Sequence, residues 1–105
     1  MTSRVANKTR LDILVDRPLL SVVTDILHDT RVTGHTVLPA LEGEGAHGPW
    51  YEDQISGSQR KVMVICVAEP DTADRVLTLL QPLLDSHGIV VMTSQVGVVR
   101  GSKFA

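Results

Sequence analysis

The residues best suited to bind a ligand lie in two stretches that are far apart along the chain. Residues 43–45 (Gly-Glu-Gly) follow a short apolar segment, and a glycine-rich exit from a strand can present backbone N–H groups to an anion. Near the end of the chain, Arg100 and Lys103 add positive charge, and taken by themselves they are expected to belong to a solvated tail. Each pattern alone is also typical of loops and tails that bind nothing.

Other side chains with chemical potential are scattered. The four histidines lack the close spacing of metal ligands, so no metal site is expected; they are His28, His35, His47 and His87. Cys66 lies in an apolar run and is expected to be a small buried hydrophobe rather than a nucleophile. The acidic residues after the first glycine pattern are expected to be solvated loop carboxylates rather than an acid–base pair; they are Glu42, Glu44, Glu52 and Asp53.

Composition excludes several classes of function. The 105 residues fit one domain, and 43% of them are hydrophobic, which is enough for a core. A net charge of −2 gives no basic field for nucleic acid. No apolar stretch has the length of a membrane span, and no apolar segment of a signal peptide follows the first ten residues. A cytoplasmic protein that is not inserted in the membrane is therefore expected.

The first half of the chain reads as strand, helix, strand. Residues 1–10 are expected to be a flexible lead-in, followed by a strand in which Leu11, Ile13 and Val15 face one side. Pro18 suits the first turn of a helix that should end near Thr30. A second strand, residues 36–41, contains a proline and should therefore lie at a sheet edge.

A long polar, glycine-rich loop is predicted for residues 42–60. Two large aromatic side chains, Trp50 and Tyr51, lie in its middle. Such side chains usually find something to cover them, which here could be the body of the protein, a neighbouring subunit or a partner.

The second half repeats the order. Residues 62–67 form a continuous apolar run that predicts a central strand, and a helix should open at residues 69–71. Pro82 should kink this helix or confine its regular part to the preceding residues, and Gly88 is expected just after its end. Residues 89–99 form the last strand, with Gly97 as a candidate bulge.

The order β-α-β, loop, β-α-β predicts an α+β domain of the ferredoxin-like type (βαββαβ). Its antiparallel four-stranded sheet should carry both helices on one face. Because the other face also has apolar residues, association of copies through that face or edge to edge is expected.

The ordered motifs resemble PII signalling proteins over residues 11–104. The run Thr-Gly-His-Thr-Val at 33–37, followed by Gly43, Gly45 and a long loop, resembles the start of the PII T-loop. Residues 62–67 and then Glu69 resemble the strand and helix start that follow that loop. The terminal Arg-Gly-Ser-Lys-Phe resembles the branch linked to inorganic carbon, which includes carboxysome-associated PII proteins and regulators of bicarbonate transporters.

The resemblance implies a non-enzymatic homotrimer that binds an adenine nucleotide between subunits. AMP or ADP is favoured over ATP or cyclic AMP, and bicarbonate is a candidate co-ligand. The implied nucleotide-binding residues are Thr36, Gly43, Glu44, Gly45, Val67, Gly88, Ile89, Val90, Arg100, Ser102 and Lys103. The cationic ones among them, Arg100 and Lys103, would come from the neighbouring subunit and reach the phosphates, which suits a planar arginine fork and a mobile lysine charge. A T-loop at about 42–60, with Trp50 and Tyr51, would contact a bicarbonate transporter or a carboxysome component, so association with either is implied.

The chain departs from nitrogen-sensing PII in three places. Tyr51 is not in an arginine-glycine context, no Gly-Asp-Gly-Lys follows the second helix, and no lysine adjoins Gly45. Uridylylation and ATP–magnesium–2-oxoglutarate sensing are therefore disfavoured.

Two alternatives use a related fold. A small enzyme, either a nucleotide hydrolase or an acylphosphatase, would need a phosphate cradle after the first strand, but residues 16–18 (Asp-Arg-Pro) lack the glycines for one. A metal-tolerance trimer is disfavoured because Cys and His are not clustered.

Overall fold

The first strand is longer than the sequence predicts. The computed structural model describes residues 4–51 and 60–104, and β1 runs over Val5–Asp16. The prediction that residues 1–10 form a flexible lead-in is therefore wrong for residues 5–10. The polar residues Asn7, Lys8 and Arg10 make this strand hard to recognise in the sequence. Their backbone groups are satisfied because the strand pairs from Val5 onward with the last strand of the chain.

Five more strands and two helices complete the chain. The strands are β2 (His35–Pro39), β3 (Glu42–Gly45), β4 (Gly48–Tyr51), β5 (Lys61–Ala68) and β6 (Val90–Val99). The helices are α1 (Leu20–Asp29) and α2 (Pro70–His87), with 3-10 turns at Arg17–Leu19 and Gly101–Lys103.

The main sheet has four antiparallel strands in the order β2-β5-β1-β6. The predicted four-stranded antiparallel sheet is confirmed, as are the edge position of β2 and the central position of β5. Strand β2 ends at Pro39, which has no N–H to donate. The next residue is still hydrogen-bonded to β5, because Ala40 N donates to the carbonyl oxygen of Lys61 at 3.0 Å.

A β-hairpin occupies the first part of the predicted loop. Strands β3 and β4 pair antiparallel, with Gly43 opposite Trp50 and Gly45 opposite Gly48. Gly48 has φ +96°, a backbone angle that residues with a Cβ rarely adopt, and this allows the tight reversal. Residues 52–59 of that predicted loop, including Glu52 and Asp53, lie outside the described part of the chain.

Both helices end close to their predicted ends. Helix α1 stops at Asp29, where the Thr30 hydroxyl donates to the Ile26 carbonyl at 2.8 Å. Helix α2 is capped by Gly88, whose φ of 62° is left-handed as expected. The helix nevertheless continues through Pro82 to His87, so the alternative in which Pro82 confines its regular part is wrong, and the kink at Pro82 stays a prediction.

The last strand pairs with β1 without interruption. Asn7 faces Gly97 in a one-to-one register that runs from Val5–Val99 to Leu14–Val90, so the predicted bulge at Gly97 is absent. A Cβ at this position would lie 2.5 Å from a methyl group of the half-exposed Val5, so that side chain would have to shift to accept it.

The core lies between the helices and one face of the sheet. Alternate residues of β1 and β5 point into it, and they pack against apolar positions of both helices. The largest fully buried members are Leu11, Ile13, Val23, Leu27, Val64, Val76 and Leu80. The opposite face, called the open face below, has Met63, Ile65 and Val67 in the middle and the half-exposed Val90 and Met92 on β6.

Candidate functional site

The chain places its candidate residues at two ends of the sheet. Strand β6 starts at Val90, which faces Leu14, and ends at Val99, which faces Val5. At about 3.3 Å per residue, these ends are about 30 Å apart. The end near Val90 is called the hairpin end below, and the end near Val99 is called the C-terminal end.

The hairpin end holds the backbone half of the candidate site. Helix α2 turns into β6 here through Gly88, and Val90 is 48% exposed. Ile89 is buried in the core, so only its backbone is available to a ligand. The β3–β4 hairpin leaves the sheet at the same end, since Pro39 pairs with Val62.

The contacts of Gly43 give it a structural role. A Cβ at this position would lie 2.3 Å from the Trp50 ring, so the absence of a side chain makes room for the indole. Nothing lies within 4 Å of a Cβ built on Gly45, and both Glu44 and Gly45 are exposed. Of the three, only Gly45 and Glu44 therefore have free space for a ligand in this conformation.

Lys61 connects the hairpin to the sheet. Its ammonium lies 5.5 Å from the centre of the Trp50 ring and donates a hydrogen bond of 2.6 Å to Asp16 on the neighbouring strand. Trp50 is thus partly buried against the protein's own body, whereas Tyr51 is exposed. The sequence offered Lys61 only as a charged residue before a strand, and its spacing to Trp50 gave no signal for this contact.

The C-terminal end holds the cationic half. Arg100 adopts a left-handed backbone with φ 62°, and the chain then forms a 3-10 turn in which Lys103 N donates to the Arg100 carbonyl at 3.1 Å. Gly101 packs so closely on β1 that a Cβ would lie 2.5 Å from that of Ala6. The exposed Ser102 and Lys103 are therefore on an ordered turn rather than a free tail.

A hydrogen bond ties this turn to the start of β2. The Thr33 hydroxyl donates to the carbonyl oxygen of Lys103 at 2.6 Å. Thr36 and Val67 lie between the two ends of the sheet, Thr36 paired with Ile65 and Val67 with Arg10. Within one chain, the structure therefore gathers Arg100, Ser102 and Lys103 but does not bring them to residues 43–45 or 88–90.

Two ion pairs on β1 were missed in the sequence. Lys8 has only 9% of its side chain exposed and donates to the carboxylate of Glu69, which is half-exposed. Arg10 forms a fork to Asp12 at 2.9–3.2 Å. Lys8 and Arg10 alternate with Thr9 and Leu11, which is the pattern of a strand. The pattern is hard to recognise in the sequence because most of these residues are polar.

The groups considered for catalysis are not assembled. Burial first, and the negative charge of Asp12 second, raise the pKa of the Cys66 thiol to about 11, so it is neutral and unreactive near pH 7. At the 16–18 junction, the backbone N–H of Arg17 already donates to the Arg60 carbonyl at 2.7 Å and is not free for phosphate. Over residues 4–51 and 60–104, no three metal-ligating side chains cluster.

Helix α2 is the longest helix in the described ranges, and none there has the length and apolar character needed to cross a membrane.

Comparison with protein-family models identifies the class. The model of the nitrogen regulatory protein P-II family matches residues 8–103, and the chain therefore belongs to the PII family. Homotrimers are typical of PII proteins, which are regulatory proteins. No curated protein sequence matches the chain.

Solved structures agree on the fold. CPII, a nitrogen regulatory PII-like protein from Thiomonas intermedia K12, bound to ADP, AMP and bicarbonate, is 24% identical, with a TM-score of 0.89 and 98% of each chain covered. The same protein bound to ADP and bicarbonate gives 26% identity and a TM-score of 0.86 over 99% of this chain and 100% of that one.

Another solved structure is less similar. The Bacillus subtilis GlnK–ATP complex is 12% identical, with a TM-score of 0.62 over 91% of this chain and 85% of that one. The fold is therefore more like CPII than like this GlnK.

Proposed function

We propose that this chain is a trimeric PII-like regulator that binds an adenine nucleotide, AMP or ADP, together with bicarbonate in clefts between subunits. Its output is control of inorganic-carbon uptake or of carboxysome function through a T-loop at about 42–60. The observation that carries the proposal is the separation of backbone and cationic residues at opposite ends of one sheet.

The separation decides the geometry of such a site. An arginine side chain reaches far less than the roughly 30 Å between Val90 and Val99 along the strand. A nucleotide at the hairpin end of one copy can contact Arg100, Ser102 and Lys103 only if a second copy supplies them. This is the arrangement of a cleft at a subunit boundary.

In this cleft, each group has a role that its chemistry suits. The backbone around Gly88 and Val90 borders the adenine, and Val67 and Thr36 of the open face line the wall. Glu44 and Gly45 provide backbone at the base of the loop. Arg100 and Lys103 of the neighbouring copy bind phosphate, and the same positive charge attracts bicarbonate beside it.

The ligands are proposed from the likeness to CPII. Structures of that protein contain ADP, AMP and bicarbonate, and it is similar to this chain over its whole length. The bicarbonate transporter or carboxysome partner is proposed from the motifs at residues 33–45 and 100–104.

Signalling requires that the nucleotide bind one state of the loop better than another. Lys61 links the hairpin to the sheet, because it contacts both Trp50 of the hairpin and Asp16 of β1. Since Trp50 is the sole tryptophan, its emission reports the hairpin directly.

Calorimetry tests the proposal. AMP, ADP, ATP and cyclic AMP are titrated into the purified protein with and without bicarbonate, and Trp50 emission is recorded in parallel. Saturable binding of one nucleotide per subunit is expected, strengthened by bicarbonate and accompanied by a change in emission. Absence of heat with every nucleotide in both buffers would contradict the proposal.

A further inference from the structure

The open end of the β1–β6 ladder forms a depression lined by two arginines. Its lining residues are Arg4, Ala6, Val99, Arg100 and Gly101. Val5 is the last residue of β1 to pair, and it faces Val99. Arg4 and Arg100 are therefore the next residues of the two strands, and they flank the same depression.

These two positive charges are not balanced within the described part of the chain. The three ion pairs there involve Lys8, Arg10 and Lys61, and neither Arg4 nor Arg100 is bonded to a carboxylate. Like charges on adjacent antiparallel strands repel each other. An anion between them would remove this repulsion.

The backbone holds Arg100 in place at an energetic cost. Its φ of 62° is unfavourable for a residue with a Cβ, and the turn that follows is fixed by the contact of Gly101 with Ala6. The hydrogen bond from Thr33 to Lys103 adds a second attachment. The chain thus maintains a strained turn that keeps Arg100 at the wall of the depression that Arg4 also lines.

We infer that Arg4 and Arg100 together bind one oxyanion, the phosphate group of the nucleotide bound by the neighbouring copy. Arg4 is the new member of the site. Two planar guanidinium forks can donate to different oxygens of one phosphate, which gives a stronger and more directional grip than one arginine with a lysine. This inference rests on the proposed function.

The test compares Arg4→Ala with Arg75→Ala. The control removes the same charge from helix α2, where Arg75 is also exposed. Adenosine, AMP, ADP and bicarbonate alone are titrated into wild type, both variants, Arg4→Lys, Arg100→Ala and the Arg4→Ala/Arg100→Ala double variant. Melting temperature without ligand is measured for each.

A charge-assisted hydrogen bond to phosphate predicts that Arg4→Ala weakens AMP and ADP about tenfold or more. Adenosine affinity should be unchanged, Arg4→Lys should recover only part of the loss, and Arg75→Ala should bind as wild type. The double variant should lose less than the product of the two single losses, because both side chains hold one group. Without ligand, Arg4→Ala should melt no lower than wild type.

The outcomes separate the two proposals. If wild type binds no nucleotide, the proposed function fails. If wild type binds ADP and Arg4→Ala binds it equally well, the function stands and the role of Arg4 is overturned. A loss for bicarbonate alone with unchanged ADP affinity would also overturn it, because the bound oxyanion would then not be the nucleotide phosphate.

Discussion

At the residue scale, the contact between Gly43 and Trp50 fixes the conformation of the hairpin. The indole ring of Trp50 lies where a side chain at position 43 would be, and the Lys61 ammonium lies over the ring. Such a contact tolerates no added carbon without moving the ring. It makes position 43 different from position 45, although the two glycines look alike in the sequence.

Gly43→Ala should displace Trp50 from the hairpin. With 2.3 Å between the new Cβ and the ring, the indole must leave and enter water. We expect a red-shifted emission maximum and stronger quenching by acrylamide. Gly45→Ala is the matched control, because a Cβ there meets nothing within 4 Å, and its spectrum should equal that of wild type. Equal spectra for both variants would show that the hairpin is not held by this contact.

The Cys66 thiol makes stability depend on pH in the alkaline range. Burial raises its pKa from 9.0 to about 11, so the folded state disfavours the thiolate. Stability from this group is full below about pH 9 and is lost as the pH rises toward about 11, because the unfolded chain ionises first.

Urea unfolding at several pH values checks this behaviour. The free energy of unfolding of wild type should fall more between pH 9 and pH 11 than that of Cys66→Ala, which lacks the ionisable group. Parallel curves for the two proteins would contradict the expectation. Labelling of Cys66 by a thiol reagent at pH 8 should also be slow until urea is added.

At the scale of elements, α2 contains a proline at a position that helices rarely accept. Pro82 lies inside Pro70–His87, is exposed, and cannot donate to the carbonyl four residues earlier. The helix persists because Ala73, Val76 and Leu80 are buried against the sheet and stabilise it from the side. Tertiary packing therefore outweighs a local propensity that favours stopping the helix.

Pro82→Ala should stabilise the protein by about 1–2 kcal/mol. Alanine restores a backbone N–H donor to the helix and removes the clash of the proline ring, which together stabilise the folded state by up to about 3 kcal/mol. Alanine also gives the unfolded chain more conformational entropy, which offsets about 1 kcal/mol of this gain. Urea unfolding measures the change. Pro70→Ala is the control, because at the first helical position no donor is needed and little or no gain is expected. A destabilised Pro82→Ala protein would show that the proline has a packing role.

At the scale of the whole molecule, the two faces of the sheet differ in what covers them. One face is closed by α1 and α2, whereas the open face leaves Val90 and Met92 about half exposed. PII proteins are typically trimers. We therefore expect the open face to be covered by other copies, as its apolar side chains require.

Met92→Glu should dissociate the trimer. It places a charge without a partner on the face expected to be buried between copies, at a cost of several kcal/mol. Light scattering after size exclusion should report the mass of a monomer, and nucleotide binding should be lost with the assembly. The control is Leu79→Glu on the outer side of α2, where 47% exposure matches the 51% of Met92. A trimer in both variants would place the contact elsewhere.

The sequence by itself determined the order of the elements and the fold class. Three signals were local: the alternation in residues 11–15, the apolar run at 62–67 and Gly88 at the end of a helix. Each can be read from the spacing of apolar residues, or from a backbone preference, within a short stretch of the chain. The motifs around residues 33–45 and 100–104 were also sufficient to indicate the PII family, which the family model confirms. The binding roles assigned to their residues remain predictions.

Only the tertiary structure decided which residues meet. The strand at residues 5–10 depends on pairing with β6, and the passage of α2 through Pro82 depends on packing. The role of Gly43 depends on the β3–β4 pairing, which places the Trp50 ring against it. The same holds for Arg4 and Arg100, which lie at opposite ends of the chain and become neighbours through the β1–β6 register. Apart from the pair Gly43 and Trp50, these contacts join residues far apart in the sequence, so no local spacing encodes them.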